Sequence, residues 1–120
     1  MNKSKIYEWE ILVPQASNDG QLYSIDYHSV WDEKIRKISK GLTIYRSAKG
    51  VWVNNDTVQQ ERMIPVRFCA TRKQLDWIMK FTAFHYQQKA VKAALISKEV
   101  LIKMYDPSKL AQEIFLTVEV

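Results

Sequence analysis

The sequence predicts an α+β fold in which an antiparallel sheet carries two helices on one face. Alternating apolar residues indicate strands at residues 6–13 and 58–70. Two further segments, residues 29–41 and 72–94, are predicted to be helices. Each follows polar residues that can cap a helix and has apolar residues at helical spacing. The resulting order is β-α-β-β-α-β, that of a ferredoxin-like two-layer sandwich. An alternating segment at residues 109–120 predicts an extra C-terminal strand.

The first strand and helix are separated by a polar loop. The strand ends at Pro14, and the QASNDG segment after it is rich in residues that favour turns. Ser29 is the expected N-cap of the helix, with Asp32 three residues later in the position of a capping box. Trp31 and Ile35 lie at helical spacing, and Gly41 is expected to end the helix.

A hairpin is predicted in the middle of the chain. Residues 42–45 and 51–53 are rich in β-forming types and flank a break at residues 47–50. A bulge or bend at Gly50 would allow one long, kinked strand to continue through this break. The Asn54-Asn55-Asp56 sequence predicts a tight turn, because these types tolerate positive φ. Pro65, in the returning strand, cannot donate a ladder hydrogen bond and is expected at an edge or a bulge.

The second helix has the clearest signals. Thr71 and Gln74 form a capping box, and nothing breaks a helix from there to residue 94. A second apolar stripe, formed by Trp77, Phe81 and Phe84, lies beside the first, so we expect a second subunit to cover it. The sequence therefore predicts a homo-oligomer. Residues 94–105 are expected to return as a strand.

Composition limits the classes of protein that the chain can belong to. With 120 residues, 47% of them hydrophobic, the chain fits a single domain over residues 1–120. We expect a soluble, cytoplasmic protein with no membrane segment and no signal segment, because Glu8 and Glu10 interrupt the N-terminal apolar residues. The single cysteine, Cys69, and two separated histidines predict no metal site and no disulfide. No cofactor-binding or nucleotide-binding motif is present in the sequence, so no cofactor is expected.

The candidate ligand site consists of Trp52, Glu61, His85 and Gln88. If the hairpin turn is centred near residue 56, Trp52 and Glu61 are opposite each other and share one face of the sheet. A carboxylate beside an indole ring is partly desolvated, which favours acid–base chemistry or ligand binding. His85 lies close to Gln88 in the second helix, and histidine is the side-chain type of this set that commonly changes its charge near neutral pH.

One series of short motifs resembles a known family. GLTIYRSAKGVWVNNDTVQQER, followed by an alternating strand, a long helix and QQKAV, is similar to a small family of bacterial domains of unknown function. The resemblance spans residues 31–95 and includes Trp31 at the start of the first helix. It implies the same fold and marks Trp52, Glu61 and Gln88 as candidate residues, but it implies no activity.

Three functions are compatible with these features. The first is an oligomeric module that binds a small molecule or a protein partner between subunits. The second is a cofactor-independent enzyme similar in plan to dimeric α+β barrels, with Glu61 acting beside Tyr45, His85 or Arg67. The third is weak nucleic-acid binding, for which the net charge of +5 is the support. The strand RMIPVRFCA lacks the aromatic signature of an RNA-recognition module.

Overall fold

A computed structural model describes residues 5–118 of the chain. Eight elements follow one another along it: β1 (Ile6–Pro14), α1 (Ile25–Ser39), β2 (Thr43–Ile44), β3 (Ala48–Asn54), β4 (Thr57–Thr71), α2 (Arg72–His85), β5 (Ala93–Ser97) and α3 (Pro107–Val118).

The sheet is antiparallel, and β1 and β4 form its centre. β1 pairs with β4 over its whole length, from Ile6 opposite Thr71 to Pro14 opposite Met63. β5 pairs with the other edge of β1, whereas β2 and β3 both pair with the outer edge of β4. This is the ferredoxin-like arrangement that the sequence predicts.

The core lies between the sheet and the helices α1 and α2. Alternate residues of the two central strands point into it, and each helix contributes one apolar stripe. Its members are Trp9, Ile11, Val13, Val66, Phe68, Ala70, Trp31, Ile35, Leu75, Ile78 and Tyr86. Burying this many large side chains supplies the main driving force for folding, at about 1.5–3 kcal/mol for each.

The hairpin turn between β3 and β4 is confirmed. Asn54 pairs with Thr57, and both Asn55 (φ 49°) and Asp56 (φ 67°) have the positive φ of a type I′ turn. The kinked single strand is not found, because β2 and β3 are separate and β3 continues through Gly50.

Pro65 lies opposite the gap between β2 and β3. Ile44 pairs with Val66 and Ala48 with Met63, so three residues of one side face two of the other, as in a β-bulge. The Pro65 carbonyl accepts from the backbone N–H of Tyr45 at 2.9 Å. The missing N–H of Pro65 therefore falls where the neighbouring strand is interrupted, as expected.

Helix α1 begins five residues before the predicted position. Ser24, not Ser29, is the N-cap, since its side chain accepts from the backbone N–H of Tyr27 at 3.1 Å. The hydroxyl of Ser29 instead donates to the carbonyl of Ile25 within the helix. The helix ends at Ser39, and Lys40 (φ 69°), rather than Gly41, takes the left-handed position.

Helix α2 has the predicted capping box but ends at His85, not near residue 94. Tyr86 is fully buried and its carbonyl accepts from the Tyr23 hydroxyl at 2.9 Å, while Gln87 has a positive φ of 53°. Tertiary contacts, rather than a breaking residue, thus stop the helix. On its second stripe Trp77 is 46% and Phe84 72% exposed, so the covering subunit stays a prediction.

The C-terminal part differs most from the prediction. β5 covers only Ala93–Ser97, and the residues from there to 106 contain no further strand. The prediction of an extra C-terminal strand is wrong, since Pro107–Val118 forms helix α3. Asp106 explains the change, because its carboxylate accepts from the backbone N–H of Ser108 at 3.1 Å as an N-cap does, with Pro107 at the first helical position. Between residues 5 and 118, none of the helices is long and apolar enough to cross a membrane.

Candidate functional site

A groove lies at the end of the sheet where β1 finishes. It consists of two adjoining cavities of about 590 and 560 Å³, which share Pro14, Asn18, Glu61, Met63 and Gln88. Its walls come from the loop after β1, the start of β4 and the loop between α2 and β5. We call it the Glu61 groove.

Glu61 projects from β4 with no fixed partner. Alternation along the strand places it on the same face as Met63, away from the helix-facing Val66. Its side chain is exposed, and among the described residues it forms no ion pair or hydrogen bond. A carboxylate of this kind is available to a ligand.

The pairing of Trp52 with Glu61 is wrong. The turn places Trp52 opposite Gln59 and Gly50 opposite Glu61, two residues away from the expected register. A glycine neighbour leaves Glu61 uncovered on that side. The side chain of Trp52 lies outside the described part of the structure.

Gln88 lines both cavities and joins the two loops of the groove. Its amide nitrogen donates to the carbonyl of Tyr86 at 3.1 Å and to Asn18 Oδ1 at 3.4 Å. Asn18 in turn donates to the carbonyl of Gln87 at 3.3 Å. The loop after β1 is thereby held against the loop after α2, so this side of the groove is formed before a ligand arrives.

Gln15 adds a second free acceptor to the groove. Its backbone N–H donates to the carbonyl of Arg62 at 3.1 Å, which fixes the residue beside the start of β4. Its side-chain Oε1 is buried and has no hydrogen-bond partner among the described residues. Buried polar atoms are normally satisfied, so an unsatisfied one at a groove indicates a place for a donor.

His85 lies away from the groove, in an aromatic cluster between α1 and α2. It is 9% exposed and its ring stacks on Tyr27, with centroids 4.1 Å apart. Nε2 is 2.9 Å from the carbonyl of Tyr27; because a carbonyl only accepts, the histidine nitrogen donates. The Tyr27 hydroxyl also donates to the carbonyl of His85. In this position the histidine joins the two helices.

The partners suggested for an enzymatic Glu61 are engaged elsewhere. Arg67 forms an ion pair with Glu10, with Nε 3.1 Å from Oε1, and its guanidinium lies 5.2 Å from the ring centroid of Tyr45. Tyr45, His85 and Arg67, the three residues considered as partners of Glu61 in an enzyme, do not line the groove. Of the four residues proposed from sequence, the structure brings Glu61 and Gln88 together.

The sequence did not indicate that two further residues, Gln15 and Asn18, line the groove. They belong to the QASNDG segment, whose composition indicates a turn and says nothing about what the turn contacts. Over residues 5–118, no group of three histidine, cysteine, aspartate or glutamate residues could hold a metal ion.

The fold is shared with several solved structures. A phage SAM lyase in complex with S-methyl-5′-thioadenosine is 14% identical, with 88% of this chain and 91% of that chain covered and a TM-score of 0.60. CutA1 from Oryza sativa is 12% identical, with 89% of each chain covered and a TM-score of 0.59. The divalent cation tolerance protein CutA1 from Thermus thermophilus is 8% identical, with 88% and 92% covered and a TM-score of 0.57.

These likenesses establish a small ferredoxin-like α+β domain. No family model matches the chain, and no curated protein matches its sequence. The motif series of residues 31–95 therefore stays a resemblance.

Proposed function

We propose that the chain is a small-molecule-binding module that works as a homo-oligomer and binds its ligand in the Glu61 groove. The observation that carries this proposal is the presence of two acceptors without partners on one groove, the Glu61 carboxylate and the buried Oε1 of Gln15. Each cavity of the groove, at about 560–590 Å³, has the size of an ordinary ligand pocket.

The chemistry of the groove favours a ligand with several donors. A carboxylate accepts two hydroxyl groups at once, as in the recognition of a ribose by an acidic side chain. The Gln15 oxygen suits an amino or hydroxyl group. A nucleoside presents both kinds of donor, and the structurally similar phage lyase carries a thioether nucleoside. A nucleoside is accordingly the ligand class that we propose.

Exposed apolar side chains support the homo-oligomer. Leu101, Ile102 and Met104 are 76%, 75% and 91% exposed, in addition to Trp77 and Phe84 on α2. The radius of gyration is 18.9 Å, against about 14 Å for a compact domain of this length. A second copy would cover surface that a lone chain leaves in water. The cytoplasmic location stays a prediction from the sequence.

The test is calorimetric titration with adenosine, S-methyl-5′-thioadenosine and S-adenosylmethionine. We expect at least one to bind, and Glu61→Gln to weaken it by roughly tenfold, because a neutral amide accepts less strongly than a carboxylate. The matched control is Glu33→Gln, which removes an exposed carboxylate from the outer face of α1. Equal loss in both variants, or no binding of any of the three compounds, would refute the assignment.

Gln15→Leu gives a second, independent measurement. Removing an unsatisfied buried acceptor is expected to leave the melting temperature unchanged or raise it. The same change is expected to weaken the nucleoside, because its donor loses a partner. Stability and affinity thus change in different directions, which a general loss of structure cannot produce.

A second candidate function is a cofactor-independent lyase acting on a sulfonium nucleoside. The unpaired carboxylate of Glu61 favours binding of such a substrate, because a sulfonium carries a positive charge, and the fold is shared with a SAM lyase. Incubation with S-adenosylmethionine followed by chromatography distinguishes it from simple binding. In the lyase reaction the substrate's own carboxylate displaces the thioether sulfur, so that S-methyl-5′-thioadenosine and a lactone are formed. Formation of both products that stops in Glu61→Gln supports the lyase, and binding without turnover rejects it.

A further inference from the structure

A third, smaller cavity lies between α1 and the outer half of the sheet. Its volume is about 160 Å³, and none of its lining residues belongs to the Glu61 groove. Most of the lining is apolar: Val13, Ile25, Ile44, Ile64 and Val66. At its mouth Ile25 and Ile44 are 83% and 51% exposed. We call it the Asp32 cavity.

Three of the four polar side chains that line this cavity are already paired. The indole N–H of Trp31 donates to Thr82 Oγ1 at 3.0 Å, and the Ser29 hydroxyl donates to the carbonyl of Ile25 at 2.9 Å. His28 Nδ1 lies 2.7 Å from the hydroxyl oxygen of Tyr86. These groups have no need of a ligand.

Asp32 is the exception. Its side chain is half-buried, yet it forms no hydrogen bond or ion pair with any residue of the described chain. Arg36, one helical turn further on, stays outside ion-pair distance. An ionised carboxylate taken partly out of water loses part of its solvation, and a positively charged partner would offset that loss.

The neighbouring titratable groups do not neutralise this carboxylate. Burial raises the pKa of Asp32, although His28 and Arg36 act in the opposite direction. Burial lowers the pKa of His28, which keeps its ring neutral near pH 7. Burial also raises the pKa of Tyr86, so its hydroxyl stays protonated and uncharged beside His28 Nδ1. The cavity therefore contains one carboxylate and no cation.

We propose that the Asp32 cavity binds a small primary amine whose ammonium group pairs with Asp32 and whose apolar body fills the space between Ile25, Ile44 and Ile64. An apolar cavity of about 150 Å³ accommodates a molecule the size of benzene. An ammonium on a body of that size supplies the missing counter-charge and covers the exposed isoleucines at the mouth.

The probe is benzylamine, added to the full chain while amide and indole resonances are followed by ¹H–¹⁵N NMR. We expect a saturable shift of the Trp31 indole resonance, because Trp31 lines the cavity. Benzyl alcohol has the same body without the charge and is expected to bind roughly tenfold more weakly. Equal affinity of the two compounds, or a shift that does not saturate, would overturn the proposal.

Two variants and one control locate the site. Asp32→Asn is expected to reduce benzylamine affinity by roughly tenfold, whereas Asp26→Asn, an exposed carboxylate in the first turn of the same helix, should leave it unchanged. Ile44→Trp fills the mouth of the cavity from a half-exposed position and should prevent binding in a folded protein. If either Asp32→Asn or Ile44→Trp binds benzylamine like the parent chain, the amine is bound elsewhere.

Discussion

The hydrogen bond between Trp31 and Thr82 joins the two core helices, and its loss should be measurable as a coupling energy. Both residues are fully buried, and Thr82 passes the bond on by donating to the carbonyl of Ile78 at 2.6 Å. Trp31→Phe leaves a small cavity and an unused acceptor, which together cost about 2–3 kcal/mol. Thr82→Val leaves the indole N–H unpaired, at a cost of about 1–3 kcal/mol.

The double variant leaves neither group unpaired. Its destabilisation is therefore expected to be smaller than the sum of the two single values by about 1–2 kcal/mol. Urea denaturation followed by circular dichroism measures all four proteins at one fixed concentration, since assembly makes stability depend on concentration. Additivity within about 0.3 kcal/mol would show that the bond contributes nothing.

Three further predictions concern the cap of α1, the pH dependence and the assembly. Lys40→Gly should raise the free energy of unfolding by about 0.5–1 kcal/mol, because Lys40 has a left-handed φ of 69°, whereas Lys40→Ala should not. Stability should fall as the pH drops below 6.5, because the unfolded chain takes up a proton that folded His28 resists; His28→Gln should flatten this slope in urea denaturation, and an equal slope contradicts the reasoning. Light scattering should give at least twice the 14.1 kDa of one chain, and a single-chain mass at all concentrations would reject the homo-oligomer.

Sequence was sufficient wherever a few adjacent residues decide the structure. The capping box of Thr71 and Gln74 and the turn at Asn55 and Asp56 depend on local hydrogen bonds and local φ values, and both are present. Pro65 is predicted to lie at an edge or a bulge, and it lies at a bulge. The order of strands followed from these signals.

The errors have two physical causes. The end of α2 depends on Tyr86, whose burial and contacts with Tyr23 and His28 come from a distant part of the chain. No window of sequence around residue 86 contains that information. The start of α3, in contrast, is indicated locally by Asp106 and Pro107, but the alternating residues after them favour β-structure and predict a strand instead.

In the candidate site, too, the sequence identifies single residues but not the distant contacts that bring them together. Glu61 and Gln88 could be singled out from the sequence, but their meeting at one groove depends on how the loop after β1 folds back. Gln15 became relevant only when the structure showed its side-chain oxygen buried without a partner. His85, which sequence placed near Gln88, is separated from it because α2 ends at His85 and Gln87 has a positive φ of 53°. The helical spacing of three residues that would put both side chains on one face is therefore lost.

The central position of β1 has a consequence for synthesis. β1 leaves the ribosome before both of its neighbours in the sheet, β4 and β5, which end at Thr71 and Ser97. Its apolar residues Trp9, Ile11 and Val13 must therefore wait for most of the chain before they are covered. At about 5–20 residues per second, this leaves the nascent β1 exposed for several seconds. During that interval, chaperones have access to apolar side chains that the folded protein buries.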